Sequence, residues 1–231
     1  MKIALFGGTF DPVHRGHLAV ARAAANKFKL DLIYFAPADI PPHKQKRELT
    51  DFRHRFAMLA LATAGEKRFV PSLIDAPTGR PNYSVDTVRR LKAQLQKPAK
   101  LYFLIGMDAF RDIATWSRPV ELLAECEFIV AARPGYSLGE AAKALPESLR
   151  PPESRLLDLS DRTSGMIALP GAKIHLLGSV ASPVSSTAIR DAVHKSTVQL
   201  SRLVPQSVAE YIRKERLYVK VAAGARSGKA K

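Results

Sequence analysis

The sequence predicts an α/β fold, a Rossmann-like, mainly parallel sheet with helices on both faces, in a single domain. Three observations predict it. Strand-like runs of four to six residues alternate with segments of helical periodicity from the N-terminus onward. The run LYFLI at 101–105 has no polar break, as a strand buried on both faces requires. Two runs end in glycine at a strand-to-turn-to-helix junction, at Gly7-Gly8 and at Gly106. Open α/β sheets bind ligands at such carboxyl ends of strands.

The elements follow in order. Residues 3–6 form the first strand, and an alanine-rich helical pattern covers 18–27. Residues 32–35 read as a second strand closed by Pro37, followed by a polar loop at 38–49 with PPHK at its centre. Thr50 or Asp51 caps the next helix, in which Phe52, Phe56, Leu59 and Ala60 share a face. A short strand is expected at 69–74, and Ser84 is expected to cap a helix carrying Val85, Val88, Leu91 and Leu95. After the strand at 101–105, a short helical stretch leads to Trp116, the only tryptophan, and Pro119 opens another helix. Residues 127–132 form the next strand. The stretch 138–171 is the least legible, with a short helix at 139–145 and much loop. Residues 174–177 give the last strand, Ser185-Ser186-Thr187 precede a helix through Val193, and Pro205 opens a final one to Glu215. The domain is expected over 1–219. The tail 220–231 is small, basic and aperiodic, and is expected to be disordered.

Composition narrows the function classes. A length of 231 residues with 46% hydrophobic and 25% charged residues is that of a soluble globular domain. No apolar run approaches the roughly 20 residues that span a bilayer, and no signal-peptide pattern opens the chain. The single cysteine, Cys126, excludes an internal disulfide framework and a multi-cysteine metal site. A cytoplasmic location is expected. The net charge of +15 suits nucleic acid, a membrane surface or phosphorylated small molecules. The basic residues are scattered, however, with local clusters at 44–55 and in the tail, and lack the interleaved aromatics of a nucleic-acid groove. Neither nucleic acid nor membrane is the expected partner, and a homo-oligomer is left open.

The candidate chemistry centres on residues 7–17, GGTFDPVHRGH. Spacing of three sets His14 and His17 on one side of a helix's first turn. A helix start has unpaired N–H groups and partial positive charge, so it favours anions. Gly7 and Gly8 let a large anion approach the backbone, and Gly16 leaves room beside the imidazoles. This is a phosphate-handling pattern. It lacks GK[ST], so it is no P-loop, and it lacks GxGxxG. Two histidines without a third ligand nearby do not make a zinc site. A second constellation, Ser185, Ser186, Thr187 and Arg190, places hydroxyls and a guanidinium at another helix start. Taken alone, it would be an ordinary capped helix.

With these residues in view, the chain resembles the bacterial-type nicotinate-nucleotide adenylyltransferases. These belong to a nucleotidyltransferase superfamily with an HxGH-type signature on a Rossmann-like fold. The first signature stands at 7–17 and a second, SSTxIR, at 185–190. PPHK, PNYSVDT, GMDAF with TW, and ARPG fall between them in the family's order. The resemblance covers nearly all of 1–218. Val184 stands where isoleucine is commoner, and 136–171 has no alignable motif.

The resemblance implies ATP-dependent adenylyl transfer to nicotinate mononucleotide, with pyrophosphate leaving. It implies His17 at the α-phosphate, with His14 and the loop residue Lys44 also on phosphate. Gly7, Gly8, Thr9 and Phe10 lie against ATP, and Ser185, Ser186, Thr187 and Arg190 against its β- and γ-phosphates. Ile105, Gly106, Asp108 and Arg133 frame the adenosine side. Tyr83, Ser84, Thr87 and Trp116 take the mononucleotide. Mg²⁺ is expected to arrive with ATP; Asp11, the nearest acid, reads instead as a turn-forming Asp-Pro. Other acceptors used in the superfamily, such as phosphopantetheine, and a basic nucleic-acid-binding protein are the alternatives.

Overall fold

Strands with unbroken apolar interiors become the centre of a seven-stranded sheet in a computed structural model of the chain, which describes residues 1–38, 49–79, 81–132, 135–178, 184–194 and 199–219. The strands are β1 (Lys2–Gly8), β2 (Leu32–Pro37), β3 (Phe69–Pro71), β4 (Lys100–Gly106), β5 (Glu127–Ala131), β6 (Gly165–Leu169) and β7 (Ala172–Leu177). Their order is β3-β2-β1-β4-β5-β7-β6. Every pair is parallel except β6 with β7.

Alternation along β1 divides the core. Ile3 and Leu5 enter one apolar cluster and Ala4 and Phe6 the other, all nearly fully buried. The helices α1 (Arg15–Phe28), α2 (Phe52–Thr63), α8 (Ser186–His194) and α9 (Gln206–Lys214) contribute to the Ala4–Phe6 side. The helices α3 (Ser84–Gln94), α4 (Met107–Phe110), α5 (Pro119–Glu125), α6 (Leu138–Lys143) and α7 (Glu153–Leu159) cover the other. This is the expected sheet with helices on both faces.

Local signals behave as their chemistry requires, with instructive exceptions. Asp51 caps α2 by accepting the Arg53 N–H at 2.8 Å, and Pro119 occupies the first turn of α5. Tyr83, not Ser84, is the residue before α3, and it makes no side-chain cap. Strand β3 stops at Pro71 rather than reaching 74, its last tie to β2 being the Ser72 N–H on the Phe35 carbonyl at 2.9 Å. The largest difference lies in 138–171, where only a short helix at 139–145, matched by α6, and much loop were expected. It holds α7 and the antiparallel strand β6, of which only Ile167 is fully buried. An edge strand buried at one position has no period-2 pattern to read. No described helix is long and apolar enough to cross a membrane. The loop PPHK and the tail 220–231 lie outside the described residues.

Candidate active site

The strand order reverses direction at β1, which sits between β2 and β4. A crevice opens outside the carboxyl ends of strands at such a point. Here a cavity of about 440 Å³ lies there, within the usual range for a ligand cleft. Its walls come from the turn after β1, from Gly106 to Ala109 after β4, and from Val184 to Thr187 with Arg190 at the start of α8. The two signatures, far apart in sequence, line one cavity.

The first signature is fixed by its own backbone. His14 is the N-cap of α1, and its Nδ1 accepts the His17 N–H at 3.3 Å. In return His17 Nδ1 accepts the His14 N–H at 3.2 Å. This is a capping box built from two imidazoles, with ring centroids 3.7 Å apart. The consequence is chemical. A backbone N–H is only a donor, so each Nδ1 must be unprotonated and each neutral ring carries its proton on Nε2. Burial holds the His17 pKa well below the ordinary histidine value, and charge on His14 would lower it further. His17 therefore faces the cleft as a neutral Nε2–H donor, its ring packed edge-on to Phe10 at 5.0 Å between centroids. The glycines serve the same packing. A Cβ on Gly8 would come within 3.1 Å of the Phe10 ring, and one on Gly7 within 3.3 Å of Phe103.

The second signature clasps the first. The Ser186 hydroxyl donates to the Pro12 carbonyl at 3.0 Å. Arg190, 9% exposed, donates through one guanidinium nitrogen to the Asp11 carbonyl and through the other to Thr187 Oγ1 at 2.9 Å. Ser185 caps α8 by accepting the Ala188 N–H at 3.1 Å. The start of α8 and the start of α1 thus open on the same space, and their partial positive charges add where a polyanion would lie.

Gly7, Gly8, Thr9, Phe10, His14, His17, Gly106, Asp108, Ser185, Ser186, Thr187 and Arg190 are brought together on the cleft wall. Ile105 is 2% exposed and lies in the core, so only its backbone is available. Asp108 accepts the Tyr136 hydroxyl at 3.2 Å. Tyr83, Ser84, Thr87 and Trp116 do not line this cavity. Trp116 is half-buried, edge-on to Phe103 at 6.3 Å, and Tyr83 is 36% exposed at the start of α3. Thr87 is 1% exposed and its hydroxyl lies against Asp75 and the Tyr83 carbonyl, so it faces the frame and not a ligand. Lys44 and Arg133 fall outside the described residues.

Sequence reasoning missed the residues that hold this frame. Arg55, 1% exposed, donates to the carbonyls of Thr9 at 2.9 Å, Ala38 at 2.6 Å and Thr50 at 2.8 Å. It ties the ends of β1 and β2 together, yet in sequence it is one member of a basic cluster. Arg90 likewise joins Asp75 at 2.9 Å and Asn82 at 3.1 Å behind Tyr83. Among the described residues no three His, Cys, Asp or Glu side chains gather into a metal site. The acids on the cleft wall, Asp11 and Asp108, each accept a phenol proton, from Tyr218 and Tyr136.

Comparison with known proteins agrees with this geometry. The cytidylyltransferase-like family model matches residues 5–192. A relative from Thermoanaerobacter, named "probable nicotinate-nucleotide adenylyltransferase", is 36% identical over 95% of both chains. A relative of the same name from Gloeobacter violaceus is 37% identical over 97% of this chain and 98% of its own. Among solved structures, the nicotinic acid mononucleotide adenylyltransferase of Plasmodium falciparum, complexed with NaAD, aligns with a TM-score of 0.66. That alignment covers 94% of this chain and 97% of that one at 19% identity, a likeness of fold.

Proposed function

We infer that this chain, which belongs to the nicotinate-nucleotide adenylyltransferases within the cytidylyltransferase-like family, transfers the adenylyl group of ATP to nicotinate mononucleotide. The products are nicotinate adenine dinucleotide and pyrophosphate, a step of NAD biosynthesis. The observation that carries this reading is the clasp of the two signatures around one cavity at the switch point.

The chemistry follows from the donors on the walls. A phosphate oxygen of the mononucleotide attacks the α-phosphorus of ATP. The bond from that phosphorus to the β-phosphate's bridging oxygen breaks in line, and pyrophosphate leaves with the electron pair. Catalysis is then positioning and charge stabilisation. His17 gives its Nε2–H to an α-phosphate oxygen, and His14 supports the adjacent phosphate. The start of α8, with Ser185, Ser186, Thr187 and Arg190, receives the β- and γ-phosphates, and Lys44 adds a cation. Gly7 to Phe10 pack against ATP. The backbone at Ile105, Gly106 and Arg133, with Asp108, frames the adenosine. Trp116 offers its face to the pyridine, and Tyr83 and Ser84 recognise the ring carboxylate. Thr87 acts from behind them. Mg²⁺ carried with ATP would add positive charge beside the triphosphate. The setting is cytoplasmic, with small-molecule partners and no nucleic acid or membrane.

The test is a panel of acceptors with ATP and a pyrophosphate readout. Nicotinate mononucleotide should react, ahead of nicotinamide mononucleotide, with phosphopantetheine inert. A folded sample that prefers phosphopantetheine, or releases no pyrophosphate with any mononucleotide, contradicts the reading.

A further inference from the structure

We propose that Tyr218, at the far end of the described chain, is a positioning residue that restrains Asp11 on the wall of the phosphate cleft. The proposal rests on the ATP-dependent reaction inferred above. Tyr218 lies beyond residues 5–192, where the family model ends, and 207 positions from Asp11.

The geometry is specific. After α9 the Leu217 N–H returns to the Ile212 carbonyl at 3.0 Å, and Arg216 and Tyr218 take left-handed φ values of 51° and 64°. Non-glycine residues adopt that region at a cost that surrounding contacts must offset. The result turns the phenol inward, against the cluster that contains Phe10 and Val13. Its hydroxyl donates to Asp11 Oδ1 at 2.7 Å. Asp11 is 2% exposed, lines the cavity, and belongs to the turn that carries His14 and His17. Burial, reinforced by the Asp11 charge, keeps the proton on the phenol, so Tyr218 is a donor throughout the working pH range.

The function of the contact follows from charge. A carboxylate on the wall of a site for a triphosphate repels its ligand at close range. The phenol holds that carboxylate on the protein side, while Arg190 and Ser186 hold the carbonyls of Asp11 and Pro12. Tyr218 thus closes a third side of the clasp, and its effect should fall on ATP and not on the acceptor.

Two substitutions test this. Tyr218→Phe removes one oxygen and should raise KM for ATP about tenfold, with KM for nicotinate mononucleotide within twofold of the original. In the Asp11→Asn chain, which lacks the charge, Tyr218→Phe should change KM for ATP by less than threefold. A role in packing alone gives no such rescue. Calorimetric ATP affinity should follow the same pattern, and it reads the contact even if the acceptor is not nicotinate mononucleotide. Failure of the parent chain to use that acceptor therefore counts against the functional reading alone. An unchanged ATP affinity in Tyr218→Phe overturns the proposal. So does an equal loss in both backgrounds, or unfolding of Tyr218→Phe whether residue 11 is Asp or Asn.

Discussion

The two halves of the proposed site are built on different plans. The phosphate half is made of backbone and caps: two helix starts, glycines pressed against rings, and imidazoles fixed by the N–H groups of their own turn. The half around Tyr83 and Trp116 is made of side chains propped from behind. Arg90, Asn82, Asp75 and Thr87 support the start of α3, and Phe103 supports the indole. The difference separates two tasks. Charge stabilisation needs donors that do not reorganise, whereas recognition of a ring needs a shaped surface.

Substitutions should therefore separate the halves by kinetic constant. The largest effect is expected for His17→Ala, a loss of about 10²–10³ in kcat with the fold retained, since one preorganised donor to the reacting phosphate is removed. Steady-state kinetics alongside circular dichroism checks it, and a kcat within threefold would remove His17 from the chemistry. Next, Trp116→Ala should raise KM for the mononucleotide roughly 10–50-fold, the usual scale of a lost ring stack, while KM for ATP stays put. Equal changes in both constants would mean that the indole only supports the core. Thr87→Val should raise the same KM only about three- to fivefold and lower the melting temperature by roughly 2–4 °C, as one buried hydrogen bond is lost. A hydroxyl in direct contact with ligand would cost more and leave the melting temperature alone.

The smallest effect is one of pH. The His17 pKa is depressed in the folded chain, so between its folded and unfolded values the unfolded state binds more protons. That contribution to stability is present above about pH 6.5 and fades as pH falls toward the folded value. Between pH 7.5 and 5.5 the group should remove at most about 1.4 kcal/mol. The loss should be absent in His17→Gln, as denaturant melts of the ligand-free protein would show. Identical pH slopes in the two proteins would contradict the burial argument.

Legibility in the sequence followed the same division. Glycines before helices, capping residues and unbroken apolar strands are local signals, and they placed β1, β4 and both signature turns within one or two residues. Ser186 and Arg190 were legible as polar groups at a helix start. That they reach back to Pro12 and Asp11 was not, because it depends on chain segments more than 170 residues apart. Arg55 reads as one solvated charge among several, and only the fold shows it buried against three carbonyls. Strand β6 was illegible for a different reason, since its partner β7 supplies the pairing and its own side chains are mostly exposed.

If His17 acts as a fixed Nε2–H donor and not as a nucleophile, transfer is a single in-line displacement. ATP made chiral by sulfur at the α-phosphorus tests it directly. A single displacement gives inversion of configuration in the dinucleotide. Retention would require two displacements through an enzyme-bound adenylate, and would contradict it.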